Sequence, residues 1–307
     1  MLKIAFLMDR IETIKSLEDT TFALMEEAYQ RGHRIFHLEP IDLTLHSKKK
    51  LRLQLKEVSV DPIHGIRVKK SIPDKPLDFL DCLWIRKDPP FDLSYFHFLL
   101  LLSLYESEIL ILNKPSSLIL GNEKLLPFLF PEYMPETFVS FRKSFLKSFM
   151  KNKKPMVWKP LFERSGRGLK LHSQDLTGFE EGTWGLVQQF LPQVRTSGDK
   201  RVLVLDGKAI ASYVRMPPQG QWLIRPDLED NTLKAASMTS KEKHIISKVG
   251  PKLRKLGFYF SGLDFIGEQL TEINVTSPGG LPEANLFTAG KPLQKIVINF
   301  LEKKLLL

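Results

Sequence analysis

The first 120 residues alternate short apolar runs with helical segments, and that alternation restricts this part of the chain to a parallel α/β sheet. Residues 3–8, 34–38, 82–85 and 109–112 read as buried strands. Thr20-Thr21 is placed to cap a helix running to Arg31, with Gly32 where a helix stops. A second helix is expected over 94–105. Between these, residues 47–70 alternate loosely, with Leu51, Leu53, Leu55, Ile66 and Val68 among basic residues, and predict exposed strands about a turn at Pro62-Ile63-His64-Gly65.

The remainder follows a different pattern. Helices are expected over 122–129, 141–151 and 241–256, and strands over 136–139, 156–158 and 186–190. Residues 201–205 and 208–214 flank Asp206-Gly207, a type I′ hairpin signal, and 262–266 and 270–275 flank a second turn. The 307 residues are 43% apolar and 10% aromatic, enough for a large core and too rich for disorder. One cysteine, Cys82, excludes an intrachain disulfide and fits a reducing cytoplasm. The longest apolar stretch, 98–105, is far short of the roughly 20 residues a membrane span needs. It reads as a buried helix, with its apolar surface at a subunit contact, and no targeting segment precedes it. The net charge of +10 suits nucleic acid or polyanionic small molecules, but no nucleic-acid motif accompanies it.

The second hairpin carries the most chemistry. A turn centred on Glu268 puts Asp264 opposite Glu272, with Asn274 on the same face and Phe265 and Ile273 directed into a core. Opposed carboxylates repel. A divalent cation would remove the repulsion, and Asp, Glu and Asn oxygens suit Mg²⁺ when phosphates complete its shell; a solvated pair of acids is the alternative. Lys124 and Lys159 could neutralise phosphate, Lys159 lying between a strand and the Gly-bearing loop 163–168, although a strand-end surface lysine reads the same way. Gln188-Gln189-Phe190-Leu191 offers polar backbone and an apolar wall to an adenine, or is simply a buried strand.

Ordered short segments then define a resemblance. They are Phe6-Leu7-Met8-Asp9, Arg86-Lys87-Asp88-Pro89-Pro90-Phe91-Asp92, Asn113-Lys114-Pro115, Asn122-Glu123-Lys124-Leu125, Lys159-Pro160-Leu161, Gly198-Asp199-Lys200-Arg201, Gly262-Leu263-Asp264 and Thr271-Glu272-Ile273-Asn274-Val275-Thr276-Ser277-Pro278. Spread over nearly the whole chain, this set resembles prokaryotic-type glutathione synthetases of the ATP-grasp superfamily. The resemblance implies an α/β and α+β ATP-grasp fold. A substrate domain with a parallel sheet spans 1–120, a lid 121–190, and a catalytic domain with an antiparallel sheet 191–307. It implies that ATP is a co-substrate and Mg²⁺ or Mn²⁺ the cofactor, and that γ-glutamylcysteine and glycine are joined through an acyl phosphate. Lys124 and Lys159 would contact phosphates, with Ser165, Gly166, Arg167 and Gly168 closing over them. Residues Gln188 to Leu191 would hold adenine. Asp264, Glu272 and Asn274 would hold the metal. Arg201 and Arg215 would grip the acyl phosphate and the tetrahedral intermediate, as planar guanidinium forks suit oxyanions. Arg86, Asp88, Ser277, Gly279 and Gly280 would bind substrate. Small-molecule substrates, no nucleic acid, no membrane and a homo-oligomer (dimer or tetramer) complete the expectation.

Three segments depart from the family pattern. The lid loop carries Arg164, Ser165 and Arg167 where the family usually has a glycine-richer, less charged loop. Residues 221–249 contain no glycine, leaving Arg225 and Asn231 for the polar roles of a Gly-rich segment. After Ser277-Pro278 comes Gly279-Gly280-Leu281-Pro282-Glu283, with no arginine. A related ligase with another acid or amine, or an ATP-binding homologue with little ligase activity, are the competing expectations. An ideal hairpin about Asp206-Gly207 also sets Arg201 opposite Ser212, so Arg215 joins it on one face only if a bulge intervenes.

Overall fold

The computed structural model describes residues 1–14, 18–151, 155–161, 168–172, 182–224 and 232–306. In the amino-terminal part, β1 (Lys3–Leu7), α1 (Thr20–Gln30), β2 (Arg34–Leu38), β3 (Leu43–His46), β4 (Lys50–Asp61), β5 (Gly65–Pro76), β6 (Cys82–Ile85), α2 (Leu93–Ser103), β7 (Leu110–Leu112) and α3 (Pro115–Ile119) follow one another. Strands β2-β1-β6-β7 pair in parallel. Their near-continuous apolar sequences are those of strands covered on both faces. An antiparallel extension, β3-β4 with β5, continues the sheet from β2 to seven strands.

Three local expectations are corrected. The cap of α1 is Asp19, whose Oδ1 accepts from the N–H groups of Thr21 and Phe22, while Thr20 and Thr21 are buried in the first turn. Strands β4 and β5 are longer than the 47–70 pattern indicated, and the first is not exposed: Leu51, Leu53, Leu55, Val58 and Val60 bury one face of it. Residues 122–129 are not a helix; only Leu126–Leu129 forms a 3₁₀ turn, and the residues before it are shaped by an Asn122 turn in which Oδ1 accepts from the N–H groups of Lys124 and Leu125.

The middle section holds a four-stranded antiparallel sheet, β10-β9-β11-β8, from β8 (Thr137–Ser140), β9 (Met156–Pro160), β10 (Lys170–His172) and β11 (Gly185–Gln189). Helix α4 (Lys143–Met150) covers it, and Leu146, Met150, Met156, Trp158 and Val187 make its separate small core. After α5 (Val194–Ser197), the last part forms a five-stranded antiparallel sheet, β14-β13-β12-β15-β16. Its members are β12 (Asp199–Leu205), β13 (Lys208–Met216), β14 (Thr232–Ala235), β15 (Phe260–Ile266) and β16 (Gln269–Asn274), with α6 (Ser240–Lys255), α7 (Leu281–Asn285) and α8 (Leu293–Leu305) packed around it. Asp206 and Gly207 both have positive φ, as a type I′ turn demands.

The first and last sheets share one core, in which Ala5, Leu7 and Phe36 are continuous with Val202, Phe265 and Ile273. Asn113 locks them, donating from Nδ2 to the carbonyls of Phe260 (2.7 Å) and Val275 (2.8 Å) and accepting from Phe260 N–H (2.9 Å). Cys82 lies wholly inside, where burial pushes its thiol far above the ordinary range. A thiol reagent at pH 8 is therefore expected to label native protein only at the rate of unfolding, and labelling faster than that would show the β6 environment to be open.

Candidate active site

A cleft of about 380 Å³ lies where the three sheets meet. Arg86 and Asp88 enter it from the carboxyl end of β6, the end of a parallel sheet at which ligands bind. Lys159 and residues 188–191 enter from the middle sheet; Arg201, Arg215, Asp264, Glu272, Asn274, Ser277, Gly279 and Gly280 come from the last sheet and the turn after it. Lys124 instead lines an adjoining cavity of about 410 Å³ that shares Pro89, Glu123 and Thr276 with the cleft. Gly168 lies beside Pro160 with φ +68°. Ser165, Gly166 and Arg167 lie outside the described residues, as do Arg225 and Asn231.

The arginine pair depends on a bulge. Between Leu203 and Val204 the register shifts by one residue, so Arg201 pairs with Tyr213 rather than Ser212, and Asp199 with Arg215. All four then share one face. Arg201 grips Asp264 bidentately, Nε to Oδ1 at 2.5 Å and Nη2 to Oδ2 at 2.8 Å, and its Nη1 donates to the Gly279 carbonyl at 3.1 Å. Gly262 leaves the space the Arg201 side chain occupies, since a Cβ there would meet its Cδ at 3.0 Å. Arg215 bridges Asp199 and Asp264, the latter at 3.1 Å. Burial alone would push the Asp264 carboxyl up, yet the two guanidinium groups override it and hold the carboxyl low, so Asp264 is ionised. Asp199 goes the other way: burial raises it against the pull of Arg215, and its Oδ1 finds no partner among the described residues.

The second hairpin has the expected pairing of Asp264 with Glu272, but its turn is not centred on Glu268. A two-residue turn at Gly267-Glu268 and a compensating bulge at Asp264/Phe265 bring Asp264 opposite Glu272, and Gly262 opposite Asn274. Asn274 Nδ2 donates to the Gly262 carbonyl (3.3 Å) and Asp264 Oδ2 (3.1 Å), and its amide oxygen accepts no hydrogen bond among the described residues. Glu272 makes no hydrogen bond or ion pair among the described residues, though it faces Lys159 and Glu123 electrostatically. Those residues do not gather three Asp, Glu, His or Cys side chains into a metal cage. Asp264, Glu272 and Asn274 bring two carboxylates and one amide to the cleft, a hard oxygen set in which Glu272 has no hydrogen bond or ion pair among the described residues, and that chemistry fits a divalent cation supplemented by phosphate. Lys159 also makes no hydrogen bond among the described residues; burial lowers its ammonium pKa and Glu272 opposes this. An anion arriving beside it would favour the charged form.

One end of the cleft is apolar. Phe190 meets Trp222 edge to face at 5.7 Å, with Val157, Leu169, Ile224 and Ile266 around them, a slot matched to a flat heteroaromatic ring. At the other end Arg86, 4% exposed, donates to Thr21 Oγ1 (3.0 Å) and the Pro278 carbonyl (3.1 Å), and Ser277 donates to the Arg86 carbonyl at 3.3 Å. Gly280, at φ +105°, leaves no room for a Cβ against the Tyr213 hydroxyl, whereas the space beside Gly279 is open.

Asp199, Tyr213, Glu283, Glu123 and Trp222 line the cleft without having been assigned a role from sequence. Two of them had a signal: Asp199 and Tyr213 stand two residues from Arg201 and Arg215, on the same strand faces. Glu123 lies in the Asn122-Glu123-Lys124 segment that carried the resemblance. Glu283 and Trp222 depend on chain paths that local pattern does not encode.

A nucleotide-sized cleft between two antiparallel sheets, fed by a parallel-sheet domain, is the architecture of ATP-grasp ligases, enzymes that use ATP and a divalent metal to form C–N bonds. Among the solved structures that share it are a D-cycloserine synthetase (TM-score 0.66, 12% identity, covering 98% of this chain and 99% of that one) and a Chryseobacterium gregarium RiPP-associated ATP-grasp ligase in complex with ADP and a leader and core peptide (TM-score 0.66, 13% identity, 99% and 97%). The chain belongs to the prokaryotic glutathione synthetase family: the family's N-terminal domain matches residues 2–118 and its ATP-grasp domain residues 123–288. Among curated relatives, the glutathione synthetase of Coxiella burnetii is 38% identical over 92% of this chain and 91% of its own length. That of Pseudomonas syringae pv. tomato is 35% identical over 99% and 98%. Among the described residues no helix is long and apolar enough to cross a membrane.

Proposed function

We propose that this chain joins γ-glutamylcysteine to glycine with ATP, and that the cleft residues divide the work between nucleotide and acceptor. The supporting observation is the convergence of Lys159 and two buried arginines with Asp264, Glu272 and Asn274 in one cleft that also has an apolar slot. Residues 188–191 and Trp222 hold the adenine. Lys159, with Lys124 beside it, meets the phosphates. Asp264, Glu272 and Asn274 hold Mg²⁺, which when bound supplies charge stabilisation to the phosphates. The peptide lies toward Arg86 and Asp88, with Ser277, Gly279 and Gly280 at the acceptor end.

A carboxylate oxygen of the peptide attacks the γ-phosphorus and ADP leaves, giving an acyl phosphate. The amine nitrogen of glycine then attacks the acyl carbon, phosphate leaves and the amine loses its proton. Arg201 and Arg215 offset the developing oxyanion charge without reorganising, because Asp264 and Asp199 already fix their planes. Residues 1–120, 121–190 and 191–307 act as substrate domain, lid and catalytic domain. The exposed Leu93, Leu100 and Leu104 around α2 support a homo-oligomer, and a lone buried thiol fits the cytoplasm.

A ligase of the same fold with a different amine is the second reading, favoured by the absence of arginine after Ser277-Pro278. The deciding experiment follows ADP release with Mg²⁺–ATP, γ-glutamylcysteine and glycine, each omitted in turn, and weighs the product. Release that needs all three, with glutathione formed, is expected. ADP release only with another amine moves the assignment to the second reading, and nucleotide binding without release under any acceptor overturns both.

A further inference from the structure

The segment Asn122-Glu123-Lys124 lies between the two sheets that line the cleft. Strand β16, which carries Glu272 and Asn274, is an edge strand paired only with β15 in its sheet. Its open edge is covered by Glu123. The Glu123 carbonyl accepts from Ile273 N–H at 3.1 Å, between the two cleft-facing residues. Its Oε1 accepts from Val275 N–H (2.9 Å), Thr276 N–H (3.1 Å) and Thr276 Oγ1–H (2.8 Å). On the other side Asn122 Nδ2 donates to the Leu161 carbonyl at 3.2 Å, just beyond β9 and Lys159.

An uncovered edge strand slips easily, and a slip of one residue turns every side chain to the opposite face. For β16 that would carry Glu272 and Asn274 out of the cleft. The bulge at Asp264/Phe265 makes the register here depend on more than strand pairing. We propose that Glu123 is a positioning residue: its carbonyl holds the open edge of β16 at Ile273 and its Oε1 holds the two residues that follow the strand, and together they keep Glu272 and Asn274 in the cleft, while Asn122 ties the same segment to the strand of Lys159. This rests on the metal and phosphate roles proposed above. Glu123 acts as a hydrogen-bond acceptor, so its charge is dispensable.

Glu123→Gln keeps an acceptor oxygen for the same three donors, whereas Glu123→Ala removes it. The expected result is activity within about threefold of wild type for the glutamine variant. The alanine variant should lose about 10²-fold in kcat and need about tenfold more Mg²⁺ for half-saturation, with KM for the amine unchanged. Hydrogen exchange on the metal-free, full-length protein gives a readout independent of turnover: the amides of Val275 and Thr276, whose acceptor is Oε1, should lose protection in Glu123→Ala and keep it in Glu123→Gln. Thr276→Val, which deletes one donor, serves if the alanine variant does not fold, and should shift Mg²⁺ half-saturation in the same direction by less. Equal loss in the glutamine and alanine variants would overturn the proposal, and so would an alanine variant whose Mg²⁺ dependence and protection at Val275 and Thr276 match wild type. Absence of wild-type turnover would refute the assigned reaction, while the exchange result would still decide whether Glu123 clamps β16.

Discussion

Glu272→Gln is expected to lower turnover by a factor of about 10²–10³ while leaving the fold as stable as before. The side chain stands opposite Asp264 and has no hydrogen bond or ion pair among the described residues, so an amide of the same shape breaks no contact there. Neutralising it relieves repulsion with Asp264 and Glu123 but gives up attraction to Lys159. These effects oppose, and each is on the order of 0.2–1 kcal/mol, so the net change in stability is within about 1 kcal/mol. Thermal unfolding without metal should show a near-identical Tm. The added rise in Tm that Mg²⁺ gives in the presence of ADP should disappear, because a neutral amide is a poor substitute for a carboxylate toward a hard cation. A Glu272→Gln protein with full turnover and an intact Mg²⁺ response would remove Glu272 from the ligand set.

The polar pairing of the second hairpin was legible because its pattern is local: a turn near Glu268, alternation, and apolar Phe265 and Ile273 opposite the polar face; the two-residue turn and the bulge that together produce that pairing were not. The first hairpin was legible only in part. Asp206-Gly207 marked the turn, but the bulge between Leu203 and Val204 that unites Arg201 with Arg215 has no glycine or proline to announce it. Alternation found β4, yet its depth of burial is set by the helices and strands packed against it, which lie far off in sequence. The Asp19 cap was displaced by one position because Thr20 and Asp19 are both good caps, and the carboxylate reaches two N–H groups. The role of Glu123 was hidden for a related reason: its partners Val275 and Thr276 lie 152 and 153 residues away. The family's ordered motifs nevertheless led to the cleft, because the backbone turns that bring those motifs together are the ones on which the cleft depends.

Arg201→Ala should be the most damaging single change to both stability and turnover. Arg201 is 8% exposed and Asp264 3% exposed, so removing the guanidinium leaves a buried carboxylate with half its compensation. Breaking a buried pair from one side costs about 3–5 kcal/mol, most of it the desolvation of the charge left behind. The loss has a pH signature. Arg201 lowers the affinity of both Asp264 and Asp199 for protons in the folded state. Its stabilisation is therefore complete where both carboxylates are ionised and is lost as pH falls and they take up protons. The gap between wild type and Arg201→Ala should be widest near neutrality and narrow on acidification. Adding Asp264→Asn removes the orphaned charge, so the double variant should be more stable than the sum of the single changes, by about 1–3 kcal/mol of coupling. Arg201→Lys should recover part of the stability and little of the turnover, since one ammonium cannot span both Asp264 oxygens and the Gly279 carbonyl. Additive single changes, or a gap that widens in acid, would show that Arg201 does not hold Asp264 in the manner its bidentate geometry indicates.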